Sequence, residues 1–357
     1  MLPTGADVKP TAHLLAVATA VPPYVLRQDE AAALAHEIFA PRYEDFARLA
    51  RVFETSGIRT RRAVRPLEWY ATRLGWPERT AVYLEGAESL FIDAAMKALA
   101  AAGCRAEEVD TVVTVSSTGI ATPSIDARVM GPMGFRPDIS RVPVFGLGCA
   151  GGVTGLSIAA RLAEARPGST VLLVVIELCT LAFRMDTLTK ANVVASALFG
   201  DGAAACVVRT GGQGLARIAA SGEHTWPDTL DIMGWNVDPL GFGVVFAQAI
   251  PPFARQNVGP AVTEILERSH HATESVDRFV CHPGGSKVIE ALETALDLPV
   301  GSLDHEREVL ESHGNMSAPT VLFVLERVIA DGLPELCVVN AMGPGFSTSC
   351  VVLEKAA

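Results

Sequence analysis

The chain has 357 residues, 49% hydrophobic and 19% charged, enough to bury a large core and more than one domain of ordinary size. Its net charge of -11 argues against nucleic-acid binding by the bulk surface, since phosphate recognition needs concentrated Lys and Arg. Seven cysteines, an odd set without a CxxC spacing, do not read as a disulfide framework or a zinc cage, and no metal is expected.

In chain order, the N-terminal MLPTGADVKP lacks the basic start and apolar block of a secretory signal, so a cytoplasmic protein is expected. A strand is predicted near 12–18, ended by Pro22-Pro23, with helices near 29–39, 43–55 and 87–101. Arg48, Arg51, Arg59, Arg61, Arg62 and Arg65 gather in this acidic chain, either as a solvated face or as a local site for phosphates. Strands near 111–117 and 143–146 lead into VFGLGCAGG at 144–152 and a helix over 150–165 closed by Pro167-Gly168. The apolar run of a strand near 170–177 meets Glu177 far short of the roughly 20 residues a membrane helix needs. After a strand near 203–209, the second half is predicted to hold helices near 253–268, 286–296 and 315–330, with strands near 277–281, 336–342 and 347–354. Such alternation predicts an α/β fold. Both halves carry a Gly-rich turn at a late strand, GDGAAACVV at 200–208 and GPGFSTSCVV at 343–352, which points weakly to a duplicated unit.

Three residues stand at the open ends of elements. Cys149 sits where a strand turns through Gly146-Leu147-Gly148 into a helix, a place where unpaired N–H groups and the helix dipole favour thiolate. The flanking glycines allow a sharp turn and the approach of a substrate to sulfur. A lone cysteine is as readily an inert core residue, so a partner base is needed to make it a nucleophile. His282 ends the strand-like run RFVC and precedes Pro283-Gly284-Gly285; alone it is equally a loop residue. Asn315 opens a predicted apolar helix, where a helix cap is the simpler reading. His270-His271 reads as a helix end, and His305 and His313 as flanking a loop.

With those residues in view, GLGCAGG, ALFGDGAAA (197–205), CHPGG (281–285), GNMSAPTV (314–321) and GPGFS (343–347) occur in the order found in one family. Over nearly its whole length the chain resembles the type III polyketide synthases, the chalcone and stilbene synthase-like enzymes. The resemblance implies a thiolase-like fold of two similar αβαβα halves in a homodimer, residues 1–220 carrying the cysteine and 221–357 the histidine and asparagine. It implies a catalytic triad of Cys149, His282 and Asn315 acting on acyl-CoA and malonyl-CoA, with no further cofactor. It also implies pocket positions at Phe199, Val244, Cys179 and Ala182, and coenzyme A contacts at Arg48, Arg51, Gly284 and Gly285. Val244 stands where plant relatives carry a second gating phenylalanine, Cys179 and Ala182 replace threonines, and a third basic coenzyme A contact falls at Thr55. The apolar wording is similar to bacterial members that extend long fatty acyl starters to alkylresorcinols or alkylpyrones.

Three rivals remain at this level. A chain-initiating ketoacyl-ACP synthase shares the Cys, His, Asn chemistry, although Pro-Gly-Gly after His282 favours the polyketide branch. A cysteine-dependent thioester hydrolase orders its residues alike, and a binding protein with a dead site needs none of them.

Overall fold

Side chains of a strand alternate between two faces, so a strand apolar at every position has to be covered on both sides. Thr170–Leu178 is such a strand, buried throughout. Leu172, Val174, Ile176 and Leu178 enter one apolar cluster, while Val171, Leu173 and Val175 enter another. The computed structural model describes residues 10–187, 189–211 and 213–356; part of the N-terminal stretch read for a secretory signal lies outside them.

The first half supplies β1 (Ala12–Ala20), β2 (Tyr24–Arg27), β3 (Thr60–Ala63), β4 (Thr111–Val115), β5 (Ser140–Val144), β6 (Thr170–Leu178) and β7 (Asp201–Thr210). The second supplies β8 (Ala216–Thr225), β9 (Met233–Asp238), β10 (Gly241–Phe246), β11 (Arg278–Cys281), β12 (Leu336–Gly343) and β13 (Ser347–Lys355). Nine of these strands form one sheet in the order β11-β12-β13-β8-β1-β7-β6-β4-β5. Among the described residues its two halves are joined by a short antiparallel pairing of His13 with Arg217 and Leu14 with Ala216. β8 runs through residue 220 and pairs along its length with β13, so within the sheet the second half begins at Ala216.

Three apolar interfaces make the layers. The long helix Trp76–Ala101 covers the outer face of the first half, with Phe91, Ala94 and Ala98 packed on Leu172 and Val207. Helices Gly151–Ala165 and Thr320–Ala330 lie between the halves, their Leu156, Val321 and Leu325 sharing one core with Leu173, Val339 and Val351. Helices Ile250–Arg268 and Ser286–Ala295 close the outer face of the second half around Val338 and Val352. The result is the αβαβα layering of the expected thiolase-like fold.

Several elements differ from expectation. The helix placed at 87–101 starts at Trp76, where Glu78 accepts a hydrogen bond from the Gly75 N–H and fixes the first turn. The helix placed at 315–330 starts only at Thr320, so Asn315 is not its cap. His305 and His313 lie inside a helix, Asp304–His313, rather than beside a loop. That polar segment and the β9–β10 hairpin were not expected from sequence.

Candidate active site

Cys149 occupies a single 3-10 turn, Gly148–Ala150, that leads into the helix Gly151–Ala165. Gly148 has φ +48, and a side chain there would meet the Pro344 ring at 2.6 Å. Gly152 serves packing: a Cβ would lie 2.3 Å from the Ala318 carbonyl oxygen, so only glycine lets this helix touch the 315–319 segment of the other half. Gly152 thus seats one half of the chain against the other.

His282 follows β11, its N–H bonded to the Asn340 carbonyl of neighbouring β12 at 2.9 Å. Just before it, the Cys281 N–H is held at 2.8 Å by the buried carboxyl of Glu306, itself bonded by Arg278. Asn315 lies in extended backbone bridged to Phe199, with its N–H on the Leu198 carbonyl at 2.8 Å and its carbonyl on the Gly200 N–H at 3.0 Å. Its amide donates to the Gly284 carbonyl at 3.1 Å, and Gly284 N–H returns to the His282 carbonyl at 3.0 Å. The same amide oxygen accepts from Ser317 N–H at 2.8 Å, and the Ser317 hydroxyl hydrogen-bonds Cys149. One chain of contacts therefore links cysteine, asparagine and the histidine turn.

The electrostatics differ from the thiolate expected at a helix start. Burial pushes the Cys149 thiol up to about 11; the Ser317 bond opposes this, and the nearby Glu177 carboxyl adds to it. Burial lowers His282 to about 3, and neither ring nitrogen has a hydrogen-bond partner. Burial thus favours the uncharged form of both groups, and neither imidazole nitrogen is engaged by another protein group.

Cys149 opens into a cavity with about 450 Å³ of empty space, whose wall includes Cys179, Phe199, Trp235, Val244 and Ser317. A second, mostly apolar chamber with about 500 Å³ of empty space shares Cys179 and Phe199 with it and is lined further by Ala31, Leu34, Ala35 and Phe183. Phe199, Val244 and Cys179 thus line the cavity of Cys149, whereas Ala182 is buried and lines neither cavity.

Of the arginine cluster, Arg61 is buried against the Ser196 and Phe199 carbonyls, and Arg59 and Arg65 pair with Glu311 and Glu85. Arg48 and Arg51 remain on the exposed face of Phe46–Thr55. The end of that helix abuts the Gly284-Gly285 turn through a Ser286 hydroxyl bonded to the Thr55 carbonyl at 3.1 Å. Among the described residues no group of His, Cys, Asp and Glu side chains is arranged to hold a metal, and no helix is long and apolar enough to cross a membrane.

Residues 5–212 match the family model described as chalcone and stilbene synthases, N-terminal domain, and residues 217–356 match the corresponding C-terminal domain. The chain belongs to this family. It is a type III polyketide synthase, an acyl-transferring condensing enzyme of a class that uses acyl-CoA and malonyl-CoA. It is 39% identical to a 1,3,6,8-tetrahydroxynaphthalene synthase of Streptomyces peucetius subsp. caesius over 95% of this chain and 92% of that protein. It is 30% identical to an alpha-pyrone synthesis polyketide synthase-like protein of Mycobacterium tuberculosis over 95% of this chain and 90% of the other. The crystal structure of the tetrahydroxynaphthalene synthase of Streptomyces coelicolor superposes with a TM-score of 0.92 at 28% identity, covering 97% of this chain and 99% of that one.

The sequence reading missed Ser317, Trp235, Ser117 and Glu177. Ser317 was inside a quoted motif but two places from the residue singled out, and its φ of +59 is not legible in sequence. Glu177 was noted only as the end of an apolar run, yet it is wholly buried and its carboxyl is raised to about 8, burial outweighing bonds from Ser117 and Thr118.

The charge state of His282 has a measurable sign. Unfolded, an imidazole takes a proton below about 6.5, while the buried one resists until about 3, so its contribution to stability is present above 6.5 and is lost as pH falls. Urea unfolding of wild type and His282→Gln at pH 8 and pH 5 should show wild type losing roughly 2 kcal/mol more than the variant. A wild type that instead gains on the variant at pH 5 would mean a resting imidazolium.

Proposed function

We propose that the synthase loads a long-chain acyl group from coenzyme A onto Cys149, extends it with malonyl-CoA, and releases an alkylpyrone or alkylresorcinol. The observation that supports this is the mostly apolar chamber beside the Cys149 cavity, with Cys179 and Phe199 in the wall of both, which offers an acyl tail a place outside the space where the polyketide grows. Trp235 supports the same division of labour. Its ring lies edge-on to Phe199 at 6.3 Å, and its bulk narrows the cavity that holds the extension.

The proposed chemistry uses the three linked residues. Cys149 Sγ attacks the starter carbonyl while its proton passes to an unpartnered nitrogen of His282, and the coenzyme A thiolate leaves with that proton. Malonyl-CoA then binds with its thioester oxygen toward His282 and the Asn315 amide. Loss of carbon dioxide leaves an enolate whose oxygen takes hydrogen bonds from both. The enolate carbon attacks the acyl-cysteine carbonyl, the new C–C bond forms, and Cys149 departs. Arg48, Arg51, Gly284 and Gly285 are proposed to receive the coenzyme A phosphates and pantetheine arm, since the helix of the first pair abuts the turn of the second. A homodimer is proposed as well, supported by the large apolar side chains of Phe145, which directly follows edge strand β5, and Ile120, which are 56% and 51% exposed. Sedimentation showing a monomer at micromolar concentration would remove that part.

A second reading, a tetrahydroxynaphthalene built from malonyl units alone, is favoured by the 39% identity to the Streptomyces peucetius enzyme. Product mass spectrometry with malonyl-CoA and a starter series from butanoyl to stearoyl separates the two. Triketide or tetraketide products that increase with starter length support the alkyl reading, and Leu34→Trp in the chamber wall should then lower kcat/KM for tetradecanoyl-CoA roughly tenfold or more while sparing butanoyl-CoA. The same product with or without starter would establish the malonyl-only reading instead.

A further inference from the structure

We propose that Ser117 is a positioning residue that fixes the Cys149 elbow to the cavity wall, so that the sulfur is presented in a reactive orientation. The proposal rests on the reading of Cys149 as the loading site.

Ser117 follows β4 and is 2% exposed, yet each of its polar groups is engaged with a different wall of the site. Its N–H is shared between both carboxyl oxygens of Glu177 at 3.0 Å. Its hydroxyl oxygen accepts from Gly146 N–H at 3.1 Å and from Gly148 N–H at 3.3 Å, the two positions of the elbow that adopt positive φ, +92 and +48. Its carbonyl accepts from the Trp235 indole N–H at 2.9 Å. Glu177 is anchored in turn by the Thr118 hydroxyl at 2.7 Å, and Thr118 also receives the Leu178 N–H at 2.8 Å.

Glycine enters left-handed backbone freely but does not by itself select it, so two such positions within three residues are fixed by the partners they bond. The Ser117 oxygen supplies an acceptor for both N–H groups that this conformation turns inward. Without it they would be left to water or to a relaxed turn, and the sulfur one residue beyond Gly148 would move with them. A shift of about 1 Å at a reacting atom costs far more in rate than in affinity. Trp235 on the third arm places one of the bulkiest side chains of the cavity in the same network, so wall and nucleophile are set together.

The test is the single-turnover rate of Cys149 acylation by decanoyl-CoA, followed by intact mass, in wild type, Ser117→Ala, Ser117→Thr and Trp235→Phe. Ser117→Ala should acylate roughly tenfold or more slowly, with the half-saturating decanoyl-CoA concentration changed less than about threefold. Ser117→Thr, which keeps the oxygen, should recover most of the rate, and Trp235→Phe, which loses the indole N–H together with part of the ring's bulk, should fall between. Should the alanine variant not be recovered folded, Ser117→Cys, whose sulfur is a weak acceptor, takes its place with the same expectation. Ser117→Ala acylating at the wild-type rate, losing only affinity, or losing rate without rescue by threonine would each overturn the proposal. Absence of acylation in wild type would instead overturn the loading role of Cys149.

Discussion

Everything at the site depends on how closely two halves of the chain approach one another. Gly152 lies against the Ala318 carbonyl with no space for a methyl group, and Gly343 at the end of β12 is equally tight on Leu147 and Ala150. These contacts bring the cysteine turn of the first half to the Asn315–Ser317 segment of the second, across a core shared by both central helices. Among the described residues the halves are joined in the sheet by two residue pairs, so it is helix packing that sets the geometry of the nucleophile against its partners.

Burial is the second consequence of that seam. It removes water from Cys149 and His282 together, raising the one and lowering the other, and so leaves an uncharged pair. Charge then arises when a substrate supplies the carbonyl that turns thiol into nucleophile, inside a medium where hydrogen bonds to an oxyanion count for more than in water. The Ser317 hydroxyl that hydrogen-bonds Cys149 is itself fixed through Asn315 to the histidine turn. Apolar space on both sides of Cys179 and Phe199 surrounds this centre, and the acidic surface of the chain has little part in it.

The strands covered on both faces were legible from sequence because two apolar faces leave an unbroken apolar run: β4, β6, β7, β12 and β13 lie within a few residues of their expected places. Asp304–His313 was missed because its sequence DHEREVLESH is mostly polar and the residues it buries are Val309, Leu310 and the charged Glu306. The hairpin β9–β10 was missed because its residues face a cavity, where Trp235 and Val244 follow the shape of a ligand space and not a strand pattern. Cys149, His282 and Asn315 were legible through five ordered motifs, although the local reading of Asn315 as a cap mistook where its helix begins. Ser117 and Ser317 owe their places to bonds between residues distant in sequence, which no local pattern carries.

The central claim is that this seam creates one loading thiol. Two cysteines, Cys149 and Cys179, line the same cavity, and only the first lies at the turn joined to His282 and Asn315. Peptide mass mapping after brief exposure to a radiolabelled acyl-CoA distinguishes them. The account predicts label on the Cys149 peptide alone, discharged when malonyl-CoA is added; label on Cys179, or label on Cys149 that malonyl-CoA does not discharge, would contradict it.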